Sequence, residues 1–224
     1  MNCNNCGTLC TQAPTEFYDM SIGHFVKIFY DCKKNSHKFK EIRITGGEPV
    51  FHRNIKGFYA FVKNVLNDYR YNFKDVTWLT NYSNEYVRMM IEKIKGDGFN
   101  IGSSEKSDTK KYDYVTVNSS PCDTGCKFRP DGCNISKDCG IAYNINGYFP
   151  CTPMAAASRV FKDIKGVSSI AELTEDKIQK MFNLHCKRCG HSRLTEERNN
   201  LQIMSKTWEI ALNEYCIHNS IRQP

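Results

Sequence analysis

The sequence predicts an α/β chain in two parts, a parallel sheet with helices followed by a small cysteine-rich domain. Three observations lead there. Short apolar runs of strand type alternate with helix-period runs from residue 41 to 118. A glycine or a cluster of small polar residues closes each strand run. The 12 cysteines of the 224 residues fall within the first 32 residues and from 122 onward, with none between. No apolar run reaches 18 residues, so no membrane span is expected.

In chain order, Phe25, Ile28, Phe29 and Cys32 recur at helical spacing and predict a helix over 15–33. Residues 41–45 alternate, with Ile42 and Ile44 on one side, and end at Gly46-Gly47, a strand running into a glycine turn. Ile55, Phe58, Val62, Val65, Leu66 and Tyr69 form a helical stripe, and 75–81 reads as the second strand. Val87, Met90, Ile91 and Ile94 give another helix, stopped by Gly96 and Gly98. Residues 99–104 and 112–118 read as the third and fourth strands. In parallel sheets chemistry collects at the carboxyl ends of the strands. Gly46, Gly47, Thr80, Asn81, Ser103, Ser104 and Asn118 fall there.

Near residue 120 the texture changes, which divides the chain into 1–120 and 121–224. Residues 120–140 read as loop, and 141–151 as a hairpin around Asn146-Gly147. The pattern Ser169-x-x-Glu172 predicts a capping box opening a helix over 169–183. A last helix carries Trp208, Ala211, Leu212 and Tyr215.

The net charge of +7 permits an anionic substrate, but no nucleic-acid motif accompanies it. No basic segment followed by an apolar one opens the chain, so a cytoplasmic protein is expected. In that setting cysteines serve metal or redox chemistry rather than disulfides. Cys3, Cys6 and Cys10 could hold an iron–sulfur cluster with one iron open, or zinc with a further ligand elsewhere. The run 44–49, Ile-Thr-Gly-Gly-Glu-Pro, puts two glycines and a carboxylate at a strand end. Glycines admit a ligand to the backbone, and Glu48 can accept from a cationic amine. Taken alone, the same run reads as a tight turn with an exposed glutamate. Cys32, Cys216, Trp78 and Trp208 read as packing residues, and Lys33-Lys34 as solvated loop. His52 and Arg53 read as the start of a helix. Lys187 and Arg188 read equally as surface residues or as contacts to an anionic substrate.

The N-terminal cysteines, the Gly46-Gly47-Glu48-Pro49 turn and the βα alternation together resemble the radical S-adenosylmethionine (SAM) enzymes. The resemblance implies a partial (βα) TIM-like barrel, open at one edge and with fewer strands than the usual six. It implies a 4Fe-4S cluster on Cys3, Cys6 and Cys10 whose open iron is chelated by SAM. Gly46, Gly47 and Glu48 would hold the SAM amine, and Thr80, Asn81, Ser103, Ser104 and Lys106 lie where the family contacts its carboxylate and ribose. An external electron donor reduces the cluster, SAM is split, and the 5′-deoxyadenosyl radical takes a substrate hydrogen. The family spacing is C-x3-C-x2-C, whereas this chain shows C-x2-C-x3-C and lacks the strand that normally precedes the loop. Both departures would vanish if the chain started short of its true beginning, with a further cysteine upstream. Cys3 and Cys6 are then ligands in either case, and Cys10 only if the chain is complete.

The later cysteines resemble the SPASM/twitch auxiliary domains of that superfamily. Cys139, Cys151, Cys186 and Cys189 would make one auxiliary 4Fe-4S cluster, with Gly147 in the intervening hairpin. Cys133 fits the family's longer interval, and Cys122 and Cys126 are left as loop ligands or redox thiols. The run Cys186-x-x-Cys189-Gly190-His191 is also zinc-ribbon-like, so a structural zinc site stays open. The resemblance implies modification of a peptide, or dehydrogenation of a sugar or other small molecule. The alternatives are a nucleotide- or nucleic-acid-modifying radical SAM enzyme, an inactive homologue serving as a partner subunit, and a zinc-binding interaction protein without catalysis.

Overall fold

The computed structural model describes residues 20–69, 72–103, 126, 128–192 and 205–219, with backbone alone for 65–69. These residues divide into two units, 20–103 and 126–219. The division at residue 120, the fourth strand over 112–118, and Cys3, Cys6, Cys10, Ser104, Lys106 and Cys122 lie outside the described residues.

In the first unit, α1 (Ile22–Lys34) begins at Ser21, whose hydroxyl meets His24 Nδ1 at 2.8 Å. Lys33 and Lys34 occupy its last turn, where cations complement the helix dipole; they are helix rather than loop. Then come β1 (Phe39–Ile44), a 3-10 turn Pro49–Phe51, α2 (Ile55–Tyr69), β2 (Phe73–Thr80), α3 (Glu85–Gly96) and β3 (Asn100–Ser103). His52 and Arg53 precede α2 instead of starting it, and the Asn54 side chain accepts the Gly57 N–H at 3.2 Å. Asn84 caps α3 by accepting the Val87 N–H at 3.0 Å.

The sheet order is β1-β2-β3, parallel throughout, with Ile44 opposite Trp78 and Trp78 opposite Ile101. The helices cover it with Phe58, Val87, Ile91 and Ile94, and Trp78 is fully buried against Phe58 at 5.5 Å and Phe99 at 6.3 Å. Cys32 is buried here too, in the packing role expected of it. β3 approaches β2 closely because residue 102 is glycine: a Cβ there would lie 2.4 Å from Leu79 Cδ2. Parallel pairing brings Gly46-Gly47, Thr80-Asn81 and Ser103 to one edge of the sheet. The described strands are thus an α/β parallel sheet of three.

In the second unit, α4 (Asn134–Cys139) replaces part of the expected loop. Cys133 precedes it, and Ser136 Oγ accepts the Cys133 N–H at 3.0 Å, a local bond that starts a short helix. β4 (Ala142–Asn144) and β5 (Gly147–Phe149) form the expected antiparallel hairpin. Next is α5 (Thr152–Ala157), started by Pro153 in its first turn. The capping box at Ser169 opens only a 3-10 turn, Ile170–Glu172. α6 (Glu175–His185) has its own cap in Thr174. A 3-10 turn Cys186–Arg188 and α7 (Lys206–His218) complete the unit. Trp208 and Cys216 are buried in α7, as packing residues.

Candidate functional site

The first constellation lies at the carboxyl edge of the parallel sheet. Gly46 and Gly47 are exposed, and a Cβ on Gly46 would meet nothing within 4 Å. Glu48 does not extend into water as a turn glutamate would; it is 8 % exposed. Burying a carboxylate is costly unless donors surround it. Here Thr80 Oγ1 donates to Oε2 at 2.9 Å, the Asn81 N–H donates to the same oxygen at 3.0 Å, and the Val50 N–H reaches Oε1 at 3.5 Å. The Thr80 hydroxyl is used twice, since it also accepts the Tyr82 N–H at 3.1 Å. Glu48 therefore clamps the turn after β1 to the end of β2.

The loop from β2 to α3 is the unusual part of this edge. Tyr82 holds a left-handed backbone, φ 49°, which costs energy in a residue with a Cβ. The Arg88 guanidinium covers its ring at 5.6 Å. On either side of Tyr82, Asn81 Oδ1 and Ser83 Oγ are buried without a hydrogen-bond partner. Buried polar atoms are nearly always satisfied, so orphaned ones call for an explanation, of which a bound ligand is one. Trp78 Nε1 and the Tyr59 hydroxyl are also unpartnered, but they lie in the aromatic core. Glu48, Thr80 and Asn81 are thus brought together as expected, and Ser103 reaches the same sheet edge as a neighbour of Thr80 in register. Ser83 was not singled out from the sequence; only its distance from the strand end, three residues beyond Thr80, could have pointed to it.

The second constellation is the cysteine site of the second unit. The hairpin delivers Cys151. Gly147 is required at its corner: φ is +110°, and a Cβ would lie 2.4 Å from the Val167 carbonyl oxygen. Tyr148 exchanges two backbone hydrogen bonds with Val167, at 2.9 and 3.0 Å, and Tyr148 and Phe149 are buried. Cys151 then stands at the start of α5. The segment 186–189 is fixed through Arg188, whose guanidinium binds both Asp163 oxygens at 2.8 Å and stacks on Phe161 at 4.9 Å. Its carbonyl accepts the Trp208 indole N–H at 2.9 Å. Arg188 thereby ties the segment 186–189 to Asp163 and Phe161.

The loop 126–133 closes against these two. Cys126 Sγ donates to the Cys189 carbonyl at 3.1 Å, and Gly132 packs under the ring of Phe182. The thiols of Cys151, Cys186 and Cys189 sense one another's charge. Cys133 acts on all three, whereas the exposed Cys139 acts on Cys151. Burial pushes Cys151 up to about 12 and Cys186 up to about 11, and raises Cys189 well above its ordinary value. Neighbouring thiolates raise each of the three further. Against that, the backbone N–H groups of Met154, Arg129 and His191 favour the thiolates of Cys151, Cys186 and Cys189 respectively. N–H donors aimed at gathered sulfurs suit metal-bound thiolates. Among the described residues, no three ligating side chains stand together in a group that could hold a metal ion. Sequence spacing singled out Cys139 ahead of Cys133, although Cys133 has the wider set of thiol neighbours.

A family model described as a 4Fe-4S single cluster domain matches residues 1–96. No curated protein and no solved structure matches the chain. The matched segment spans Cys3, Cys6 and Cys10 together with the Glu48 clamp and the β2 end. It supports an iron–sulfur protein carrying a 4Fe-4S cluster. Among the described residues no helix is long and apolar enough to cross a membrane.

Proposed function

We propose that the chain is a radical SAM enzyme with an auxiliary metal centre in its second unit. The observation that carries this is the edge of the parallel sheet. There a buried Glu48 joins the glycine turn to Thr80 and Asn81, and the unpartnered Asn81 Oδ1 and Ser83 Oγ await donors. A SAM molecule fits that set, because its ammonium and ribose hydroxyls are donors. The 4Fe-4S match over residues 1–96 supports a cluster on the cysteines that precede this edge, Cys3, Cys6 and Cys10.

Each residue then has a task. Gly46 and Gly47 leave the backbone open to the ligand, and Glu48 fixes the turn. Asn81 and Ser83 accept from the ligand, and Thr80 transmits the hold of Glu48 to the strained Tyr82. When bound beside a reduced cluster, SAM supplies hydrogen-abstracting radical chemistry. Cys151, Cys186 and Cys189, with Cys133 or Cys139, hold the auxiliary centre. An external donor provides the electron, and the substrate is a peptide or small molecule of the cytoplasm.

Anaerobic reconstitution with iron and sulfide tests this. Iron and sulfide should be retained, and reduction with SAM present should release 5′-deoxyadenosine. Zinc in every site with no SAM cleavage overturns the reading. The Cys186-x-x-Cys189-Gly190-His191 run favours a second reading for the auxiliary centre alone, structural zinc, which the same metal analysis separates.

A further inference from the structure

We propose that Tyr82 is a positioning residue: its ring locks the loop after β2 in the one shape that turns Asn81 Oδ1 and Ser83 Oγ toward the ligand of the sheet edge. The proposal deepens the reading of that edge as a SAM site and rests on it. The loop has little slack. β2 ends at Thr80, and Asn84 already caps α3, so only residues 81–83 lie between. The near end is pinned by Glu48, which accepts from the Thr80 hydroxyl and the Asn81 N–H. The far end is pinned by Asn84, which accepts the Val87 N–H. Tyr82, in the middle, makes the turn with φ 49°.

Glycine adopts that conformation without penalty and asparagine with little, whereas a tyrosine is strained through its Cβ. What the chain gains from tyrosine is the ring. It packs at the margin of the apolar cluster around Trp78, and the Arg88 guanidinium covers it at 5.6 Å. The Tyr82 N–H donates to Thr80 Oγ1 at 3.1 Å, which ties the residue to the Glu48 clamp as well. A side chain fixed on the core and a backbone fixed on the strand end leave the loop one conformation. The residues on either side are the ones with unsatisfied oxygens. Asn81 is 9 % exposed with Oδ1 unpartnered, and Ser83 Oγ is buried and unpartnered. A strained residue held rigid between two unsatisfied ones is what preorganisation for a ligand requires, because binding then has nothing left to order. Tyr82 acts through Asn81 and Ser83 in this scheme, not by contact with the ligand.

The test uses the full chain, reconstituted anaerobically with iron and sulfide. SAM binding is measured by equilibrium dialysis, and 5′-deoxyadenosine release is followed under reduction. The unmodified, Tyr82→Phe, Tyr82→Gly and Tyr82→Asn chains are compared, with a thermal midpoint for each. Phenylalanine keeps the ring and should bind SAM like the unmodified chain. Glycine and asparagine accept the left-handed backbone but give up the ring. They should raise Kd and KM for SAM about tenfold while kcat at saturating SAM stays near that of the unmodified chain. A packing role alone moves the thermal midpoint and not this split. Unchanged SAM affinity in the glycine and asparagine chains overturns the proposal, whether or not their midpoints fall. So does a fall in kcat with KM unchanged, or failure of both chains to fold. An equal loss of affinity in the phenylalanine chain also overturns it, since the hydroxyl would then be the working group. If the unmodified chain neither binds nor cleaves SAM, the reading of the edge fails and the proposal falls with it.

Discussion

The two units position their chemistry by opposite means. In the first, the site residues are carried to one edge by regular strands, and a single buried carboxylate ties two strand ends together. In the second, the thiols arrive from a loop, a hairpin corner and a helix end, and side-chain staples such as Arg188 with Asp163 hold those segments in place. The first site is thus stiff before any ligand binds. The second is gathered but not closed: among the described residues its thiols form no group that could hold a metal ion. The lesson is that strand register alone can assemble a polar site, whereas thiols drawn from separate segments depend on the scaffold that holds those segments.

That contrast can be broken. The largest effect is expected from Cys151→Ser: metal retention in the second unit should fall at least about 100-fold, seen by metal analysis after dialysis, with the first unit's melting unchanged. Acid should act in the same direction. The raised thiols of Cys151, Cys186 and Cys189 are protonated in the metal-free protein at neutral pH, so metal uptake must expel three protons. The logarithm of metal affinity should rise with pH at a slope of up to about 3, measured by competition between pH 6 and 8. In the first unit, Glu48→Ala takes away the carboxylate that accepts from the Thr80 hydroxyl and the buried Asn81 N–H. Unfolding free energy should drop by about 2–4 kcal/mol in urea titration, with metal content of the second unit intact. Gly147→Ala forces a Cβ against the Val167 carbonyl at a left-handed φ and should cost roughly 1–3 kcal/mol. The exposed Asp176–Lys180 pair, at 2.7 Å, sets the floor: Asp176→Asn should change stability by less than about 0.5 kcal/mol.

The same contrast explains what the sequence reveals. Period and glycine punctuation locate β1 to β3, α2 and α3 within a few residues, because each element follows local pattern, while α1 is found at its end but starts only at Ile22 rather than at 15. Thr80 and Asn81 are legible as strand-end residues for that reason. Burial of Glu48 is not, since the two donors to its Oε2 lie more than thirty residues away and only the sheet register unites them. In the second unit, spacing finds Cys151, Cys186 and Cys189. The short helix α4 places Cys133 at its start and Cys139 at its exposed end, a distinction that depends on one Ser136 hydroxyl.

Gly46 has a consequence of another kind. Alanine there meets nothing, so folding by itself is indifferent to the exchange. A library sorted only for expression or heat resistance would let position 46 drift. On the proposed reading, sorting the same library for capture of adenosylmethionine would hold it at glycine, and the gap between the two enrichments would measure what the ligand asks of this turn beyond the fold.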